Sequence, residues 1–229
     1  MTVPPGRIEP VTRSSSQARA FYDRLSRYYD WLSGSGERRF VEIGLKMLAA
    51  NPGERLLEVG FGTGHALVAL APQVAPTGHI YGLDLSPGMA AVARLRLLRQ
   101  GLGNCVSLVC GNGLNLPFPA AALDGILMSF TLELFDTPDI PLVLAECHRV
   151  LQPGGRLVVV ALSQPALPSR SVAVYEWFHR RFPQAVDCRP IPVEYFVARS
   201  GFTLLQTHSA SLLGLLPVGM VLALTIPDR

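Results

Sequence analysis

The chain contains 229 residues, of which 49% are hydrophobic and 16% are charged. This length and composition are typical of one α/β domain with a short appendage, and they exclude an intrinsically disordered chain. The formal net charge is only +3, and no long run of Lys or Arg supplies the electrostatic surface that nucleic acids require. We therefore predict a globular protein that does not bind nucleic acid.

Cysteine spacing and hydropathy argue against metal-binding, disulfide-rich, secreted and membrane-spanning proteins. The four cysteines form no C-x-x-C pair, so we expect neither a metal site nor a disulfide framework. Residues 1–14 are polar, lack the apolar region of a signal peptide and predict a flexible leader. The apolar residues 212–226 are too few for a membrane span and contain Pro217, which predicts a buried hairpin. We expect a cytoplasmic protein, with peripheral contact at a membrane surface left open.

The predicted elements alternate in type along most of the chain. Apolar residues recur at helical spacing over residues 15–48, with a break at 33–36, and predict two helices that form an N-terminal cap or lid. Residues 49–229 predict one domain, a Rossmann-like α/β fold whose seven-stranded, mostly parallel sheet has helices on both faces and an antiparallel terminal strand. The predicted strands are 55–59, 79–83, 106–110, 123–129, 156–161, 203–209 and 221–226. After the cap, one helix is predicted to begin at residue 65. Four further helices are predicted at 87–100, 140–150, 171–182 and 193–199.

A glycine-rich turn follows the first predicted strand. Gly60, Gly62 and Gly64 lie between that strand and a helix start, where backbone N–H groups of an α/β fold approach a ligand. The third glycine of the dinucleotide fingerprint would fall on His65, which weakens the prediction of a nicotinamide site. Glu58 precedes the turn, and its carboxylate would repel a pyrophosphate but attract a cationic ligand. The turn therefore favours a cofactor with positive charge.

Asp84 ends the second predicted strand, about twenty residues after the glycine turn. A carboxylate in that position accepts hydrogen bonds from both hydroxyls of a ribose. Asp84 or Ser86 would also serve as the N-cap of the helix that begins near Pro87, and the two roles are compatible. The sequence thus predicts a ribose site beside the glycine turn.

Three motifs in order resemble the class I S-adenosylmethionine-dependent methyltransferases: LEVGFGTG at residues 57–64, GLDLSPGM at 82–89 and RVLQPGG at 149–155. The resemblance covers roughly residues 55–162, and it implies S-adenosylmethionine as the cofactor. It further implies that Glu58 and the turn hold the methionine part of the cofactor and Asp84 the ribose. The other cofactor contacts that it implies are Gly60, Phe61, Gly62, Gly64, Leu85, Met89, Asn112, Gly113, Ser129 and Phe130. Asn112 stands where many relatives have an acidic residue near the adenine amino group.

Residues after the fourth predicted strand are candidates for the reaction centre. Ser129 and Phe130 resemble the family segment that runs beside the cofactor, although Phe130 would suit the core equally well. Glu133 follows them, and a carboxylate facing the acceptor would remove a proton from it. The alternative for Glu133 is a solvated acid at a helix start.

Aromatic residues supply the candidate lid. Tyr22 and Tyr29 lie in the N-terminal cap and Trp177 in a predicted helix that mixes aromatic and cationic side chains. These residues would cover a hydrophobic acceptor or lie against anionic headgroups. The alternative is that they form the ordinary faces of amphipathic helices.

Residues 21–32 are loosely similar to the start of methyltransferases of ubiquinone and menaquinone synthesis, and the C-terminal region, including residues 187–191, is loosely similar to methyltransferases of phospholipid amines. Both similarities imply a small hydrophobic acceptor, either a quinol or other aromatic ring or a lipid-like molecule. Two other classes remain open at this stage. They are a nicotinamide-dependent oxidoreductase, which would have to tolerate Glu58, and a non-catalytic cofactor-binding protein, which would keep the same turn.

Overall fold

Seven strands form one sheet in the computed structural model, which describes residues 8, 11, 14–26, 34–164, 174, 175, 177, 181, 188–212 and 216–225. In chain order they are β1 (Arg55–Val59), β2 (His79–Asp84), β3 (Val106–Cys110), β4 (Leu123–Ser129), β5 (Leu151–Leu162), β6 (Phe202–Leu212) and β7 (Leu216–Thr225). Their order across the sheet is β3-β2-β1-β4-β5-β7-β6. Only the pairs that include β7 are antiparallel. The predicted seven-stranded, mostly parallel sheet is confirmed.

The order in which successive strands are added to the sheet reverses at β1. This strand pairs with β2 on one side and with β4 on the other, both in parallel. The connections that follow β1 and β4 therefore lead to opposite halves of the sheet and leave a crevice between them at the carboxyl ends of the strands. Open α/β sheets bind their ligands at such a switch point.

Six helices and one short 3-10 turn surround the sheet in the described part of the chain. The helices are α1 (Ser15–Leu25), α2 (Gly34–Leu48), α3 (His65–Val74), α4 (Pro87–Arg99), α5 (Ile140–Val150) and α6 (Val193–Arg199), and the 3-10 turn is Leu132–Leu134. One buried cluster joins the sheet to α5 and α6, and another joins it to α2, α3 and α4. The alternation of side chains along a strand explains this division, since Leu57 and Val59 belong to the first cluster and Leu56 to the second.

Several predicted boundaries need correction. Gly34, Ser35 and Gly36 are the first residues of α2 rather than a break between helices. Strand β5 begins five residues earlier than predicted, at Leu151, immediately after α5 ends. Pro217 lies inside β7 rather than in the connection before it.

The two terminal strands supply the predicted antiparallel part of the sheet. Strand β7 inserts between β5 and β6, so it is internal, and β6 is the edge strand. Most of the predicted helix 171–182 and most of the predicted leader lie outside the described residues. None of the described helices combines the length and the apolar character needed to cross a membrane.

Leu127 in the centre of β4 tests the contribution of this core. The side chain is fully buried, so we expect Leu127→Ala to lower the free energy of unfolding by about 2–5 kcal/mol. Leu205 on β6 is 53% exposed, and Leu205→Ala should change the same quantity by no more than about 0.5 kcal/mol. Urea denaturation followed by circular dichroism measures both values. Equal losses in the two variants would contradict the assignment of the core.

Candidate functional site

A cavity of about 420 Å³, called the larger cavity below, lies at the switch point of the sheet. This volume falls within the range of small-molecule sites. Its polar wall comes from the ends of β1, β2 and β3 and the segments that follow them. Its other wall comes from α1 and from the segment after β4. Its lining includes Tyr22, Asp84, Asn112, Phe135 and Asp139.

A smaller cavity, of about 260 Å³, lies between α2 and the glycine turn. Glu58, Phe61 and Thr63 line it from the sheet side, and Glu37 and Val41 line it from α2. Four residues line both cavities: Gly60, Gly62, Ser129 and Phe130. The two cavities are therefore adjacent, and an elongated ligand that passes this junction would occupy both.

The glycine turn adopts a conformation that other residues would resist. Gly60, Gly62 and Gly64 have φ angles of 75°, 51° and 81°, which lie in the left-handed region that glycine enters without steric cost. A Cβ atom on Gly60 would lie 2.2 Å from Oγ1 of Thr131, whereas a Cβ on Gly62 would have open space around it. Gly60 thus permits close packing against the segment after β4, and Gly62 faces the cavities.

Phe130 has a left-handed backbone at the junction of the two cavities. Its φ angle is 50°, which costs of order 1–3 kcal/mol for a bulky residue and is concentrated at functional sites. The amide of Phe130 donates to the carbonyl of Val160 on β5 at 2.7 Å, and the ring packs edge-on against Phe40 of α2. These contacts hold the ring between sheet and cap.

Asp84 is the centre of a network of backbone hydrogen bonds. Its Oδ2 accepts from the amide of Gly62 at 2.8 Å, and its Oδ1 accepts from the amide of Ser86 at 2.9 Å. The carboxylate therefore joins the glycine turn to the start of α4. Burial raises the pKa of Asp84, although these hydrogen bonds act in the opposite direction. Of the two N-cap candidates, Asp84 and Ser86, the structure selects Ser86, whose Oγ accepts a hydrogen bond from the amide of Met89 at 3.0 Å.

Glu58 is buried and incompletely satisfied. The residue is only 2% exposed, its carboxylate accepts a hydrogen bond from the amide of Leu67, and its Oε2 has no partner among the described residues. Burial, with a smaller contribution from the charge of Asp84, raises the pKa of Glu58 well above its ordinary value. A bound cation would offset the cost of ionising this side chain.

Most of the predicted cofactor contacts lie together. Glu58 and Phe61 line the smaller cavity, and Asp84, Leu85, Met89, Asn112 and Gly113 line the larger one. Gly64 lines neither, and its role is packing, because a Cβ there would lie 2.9 Å from the Cβ of Ala93 on α4. The side-chain oxygen Oδ1 of Asn112 accepts a hydrogen bond from the amide of Leu114 at 3.1 Å, so one lone pair of Oδ1 is already used within the turn.

Glu133 occupies a different environment from either prediction. It is completely buried, so the solvated alternative is wrong, and it lines neither cavity. Its Oε1 accepts from the amide of Leu162 at 3.1 Å, and burial raises its pKa to about 8. The side chain joins the 3-10 turn to the end of β5. This position favours a structural role, and proton transfer by Glu133 stays a prediction.

The predicted lid residues have separate outcomes. Tyr22 lines the larger cavity, together with Ser14 and Ala18 on the same side of α1. Tyr29 lies outside the described residues. Trp177 is 56% exposed and lines neither cavity, so the described structure does not bring it to the site.

Asp23 on α1 is a residue that the sequence motifs did not indicate. Its Oδ1 accepts from Oγ of Ser86 at 2.5 Å and from the amide of Gly88 at 2.8 Å. The hydrogen bond from Ser86 is the main cause that lowers the pKa of Asp23. A Cβ on Gly88 would lie 2.9 Å from the Cα of Asp23, so glycine there lets α1 approach. The cap is thus attached to the segment that follows Asp84.

The donors and acceptors of the two cavities fit S-adenosylmethionine. The smaller cavity holds a buried carboxyl oxygen for which the described part of the chain offers no donor, and an ammonium group would supply one. The larger cavity holds a carboxylate at the end of β2, as a ribose requires. The sheet order, with an antiparallel β7 between β5 and β6, is that of the class I methyltransferases whose motifs the sequence resembles. Fold and site together define a methyltransferase of this class.

The chain belongs to the ubiE/COQ5 methyltransferase family, whose model matches residues 18–188. It is 35% identical to the demethylmenaquinone methyltransferase of Geobacillus kaustophilus. The alignment spans 175 residues and covers 76% of this chain and 72% of the relative. The protein is therefore an S-adenosylmethionine-dependent methyltransferase. This membership overturns the alternatives of a nicotinamide-dependent oxidoreductase and of a non-catalytic protein.

Solved structures share the fold at lower identity. The [4+2]-cyclase SpnF aligns with a TM-score of 0.77 at 18% identity and covers 98% of this chain and 100% of its own. The 1,6-didemethyltoxoflavin-N1-methyltransferase of Burkholderia thailandensis, with S-adenosylhomocysteine bound, aligns with a TM-score of 0.68 at 18% identity and covers 96% of this chain and 95% of its own. At these identities the likeness concerns the fold alone.

Asp23 provides a test of the attachment of the cap. Asp23→Ala removes the acceptor for Ser86 and Gly88, so we expect α1 to detach more often and S-adenosylhomocysteine to bind roughly three- to tenfold more weakly. Titration calorimetry measures the affinity, and trypsin cleavage after Arg19 or Arg24 should become faster. Arg24→Ala, one position along the same helix, serves as the control for affinity. An unchanged affinity in Asp23→Ala would show that the attachment does not matter for binding.

Proposed function

We propose that the enzyme transfers a methyl group to the ring carbon of a quinol that resembles demethylmenaquinol. The main support is the similarity to proteins named demethylmenaquinone methyltransferase, at 33–35% identity over more than half of the chain. The larger cavity is compatible with such a ring, because apolar side chains of α1, of the segment after β4 and of a residue that precedes α1 contribute to its wall. They are Val11, Ala18, Tyr22, Leu134 and Phe135.

The cofactor contacts follow from the arrangement of the two cavities. We assign the methionine end to the smaller cavity with Glu58, the ribose to Asp84 and the adenine to Leu85, Met89 and the turn at Asn112. This orientation brings the sulfonium to the junction at Gly60, Ser129 and Phe130. The bound cofactor supplies a methyl group on a sulfonium, whose neutral thioether leaving group needs no acid.

The protein residues then have to align the acceptor and exclude water. Tyr22 of the cap covers the larger cavity, and the ring of Phe130, held by Phe40 and the sheet, forms a fixed wall beside the reacting atoms. A quinol becomes more nucleophilic when it loses a proton, so a proton acceptor is useful at the acceptor side of the cavity. Asp136 and Asp139 line the cavity there, and we assign the role to this pair rather than to the buried Glu133.

The phospholipid-amine alternative is not favoured, because the matching family model is that of the ubiE/COQ5 methyltransferases. A transfer assay with labelled S-adenosylmethionine tests the choice directly. We expect label in demethylmenaquinol kept reduced and none in phosphatidylethanolamine vesicles. Label only in the phospholipid, or label in neither, would refute the proposed acceptor.

Asp84 tests the cofactor assignment. Asp84→Ala removes the proposed acceptor for the ribose hydroxyls together with the links to Gly62 and Ser86, so S-adenosylhomocysteine should bind at least about tenfold more weakly. Asp124→Ala is the control, because its carboxylate accepts from the amide of Arg55 at 2.7 Å at the opposite edge of the sheet. Titration calorimetry measures both variants. The assignment fails if the two lose affinity equally.

We also propose that α4 contacts an anionic membrane, where a prenylated quinol would reside. Leu95 and Leu98 are 55% and 61% exposed, and the neighbouring Arg94 and Arg99 are exposed as well. No aspartate or glutamate occurs from residue 85 to 123. Exposed apolar residues beside guanidinium groups complement the surface of an anionic bilayer.

Vesicle sedimentation tests this surface. We expect the protein to sediment with vesicles of phosphatidylcholine and phosphatidylglycerol more than with phosphatidylcholine alone. The double variant Leu95→Glu, Leu98→Glu should lose most of that binding, because the new carboxylates are repelled by the anionic lipid. Leu205→Glu on β6 alters a leucine of similar exposure and should retain it. Equal sedimentation of all three proteins would exclude α4 as the contact.

A further inference from the structure

We propose that Arg189 is a positioning residue for methyl transfer, whose guanidinium fixes the wall segment that faces the acceptor. The wall segment consists of residues 134–139, at the end of the 3-10 turn and after it. Neither the three cofactor motifs nor the family model, which matches residues 18–188, includes Arg189. This inference rests on the proposed binding of the acceptor in the larger cavity. Four residues of the wall segment line that cavity: Leu134, Phe135, Asp136 and Asp139.

The guanidinium of Arg189 is held in the interior, behind the wall segment. The residue is only 1% exposed and lines neither cavity. Its Nη2 donates to the carbonyl of Phe135 at 2.5 Å, and its Nη1 donates to Oγ1 of Thr137 at 3.1 Å. Hydrogen bonds from a charged donor are stronger than those between neutral groups, and a planar guanidinium presents its donors in a fixed geometry. The two bonds therefore fix the residues on both sides of Asp136.

The backbone around Arg189 is itself anchored to the sheet. The amide of Ile191 donates to the carbonyl of Leu162, the last residue of β5, at 3.0 Å. The carbonyl of Cys188 accepts from the hydroxyl of Tyr175 at 2.9 Å. Arg189 thus joins a segment anchored at the end of β5 to the segment that follows β4, and these two strands are neighbours in the sheet.

Two carboxyl groups interact with the charge of Arg189. They belong to Asp136, on the cavity side, and to Glu133, in the interior. Burial lowers the pKa of Arg189, and the charges of these two residues act in the opposite direction. A buried cation needs such partners because it has lost its hydration. Asp136 belongs to the pair to which we assign proton acceptance, so the guanidinium attracts a residue of that pair and holds the residues beside it.

Phe135 is the residue through which a displaced wall segment would alter the cavity. Its ring lies against the turn after β3, since a Cβ on Gly113 would lie 3.0 Å from its Cζ. The carbonyl of Phe135 is an acceptor for Arg189, so this bond fixes the backbone from which the ring projects. Alignment of an acceptor is sensitive to such shifts, because a misplacement of about 1 Å can lower a rate by about 100-fold.

A different explanation for Arg189 is that it only fills space in the interior. Arg189→Met would then be a good replacement, because methionine keeps the apolar part of the side chain and adapts to irregular space. Arg189→Lys keeps the charge and N–H donors but loses the planar fork. A positioning role predicts better methyl transfer by the lysine variant than by the methionine variant. Space filling predicts the opposite order or equal activities.

The experiment measures kcat and KM for demethylmenaquinol kept reduced, and the Kd of S-adenosylhomocysteine by titration calorimetry, on the full chain. The variants are Arg189→Met, Arg189→Lys and Thr137→Val, and Thr137 lines neither cavity. The control is Arg156→Met. Arg156 donates to the carboxylate of Glu54, which precedes β1 at the opposite edge of the sheet. The Tm of each variant is recorded to confirm that it is folded.

We expect Arg189→Met to lower kcat/KM for demethylmenaquinol by about 10- to 100-fold and to leave the Kd of S-adenosylhomocysteine within about threefold of the wild type. Arg189→Lys should give an intermediate value. Thr137→Val loses one of the two bonds, so its kcat/KM should fall by about three- to tenfold. Added to Arg189→Met, it should cause little further loss, because that bond is already absent. Arg156→Met should match the wild type.

The role of Arg189 is overturned if the methionine variant equals or exceeds the lysine variant in kcat/KM. It is also overturned if the affinity for S-adenosylhomocysteine falls as much as kcat/KM does, because the defect would then extend beyond the acceptor wall. If Arg189→Met does not fold, Thr137→Val and Arg189→Lys decide the question, and wild-type kcat/KM in both would overturn the proposal.

Hydrogen exchange followed by mass spectrometry tests the same role without an acceptor. Peptides that cover residues 134–139 should exchange at least about fivefold faster in Arg189→Met than in the wild type, because the wall segment opens more often. Peptides that cover the glycine turn should not change. Unchanged exchange in the wall segment would overturn the role of Arg189. If the wild type transferred no methyl group to demethylmenaquinol, the proposed acceptor would be wrong, and the exchange rates would still decide whether Arg189 fixes the wall.

Discussion

The carboxyl group of Glu58, buried at the end of β1, favours a positively charged ligand, and the rest of the site depends on this preference. Burial raises the pKa of Glu58 well above its ordinary value, and its Oε2 has no donor within the described residues, so a bound cation would stabilise the ionised form. Its neighbour Asp84 lies at the end of the adjacent strand and raises the pKa of Glu58 further. A cofactor with an ammonium group and a sulfonium compensates this charge distribution. A pyrophosphate would increase the repulsion.

The cap belongs to the cofactor site as much as the sheet does. Asp23 of α1 receives hydrogen bonds from the segment that follows Asp84, and Gly88 leaves room for that approach. Helix α2 brings Glu37 to the wall of the smaller cavity and Phe40 to the ring of Phe130. Cap and sheet therefore meet through charged or aromatic contacts at both ends of the ligand path. Ordering the cap and binding the cofactor should favour each other, because each supplies contacts that the other needs.

Local signals account for much of what the sequence predicted. The strands β1, β3 and β4 and the helices α5 and α6 have the predicted bounds, because each is a strongly patterned segment. Asp84 and Glu58 were predicted as site residues because they end strands next to a glycine turn. Glu133 shows where this approach fails. Its place after β4 suggested exposure to ligand or solvent, yet the 3-10 turn directs its carboxyl group to the amide of Leu162.

The sequence by itself determined the class of fold and the cofactor, since these depend on short segments with defined periodicity and backbone needs. It also predicted cofactor contacts in the turn after β1 and at the end of β2, and the structure places these residues at the two cavities. Only the tertiary structure decided that β7 is internal, that Gly64 serves packing and that Asp23 and Glu37 reach the site. Such contacts join residues far apart in the chain, for example Asp23 and Ser86, and no local pattern encodes them. They arise when helices that bury one face against the sheet bring their remaining side chains to its carboxyl edge.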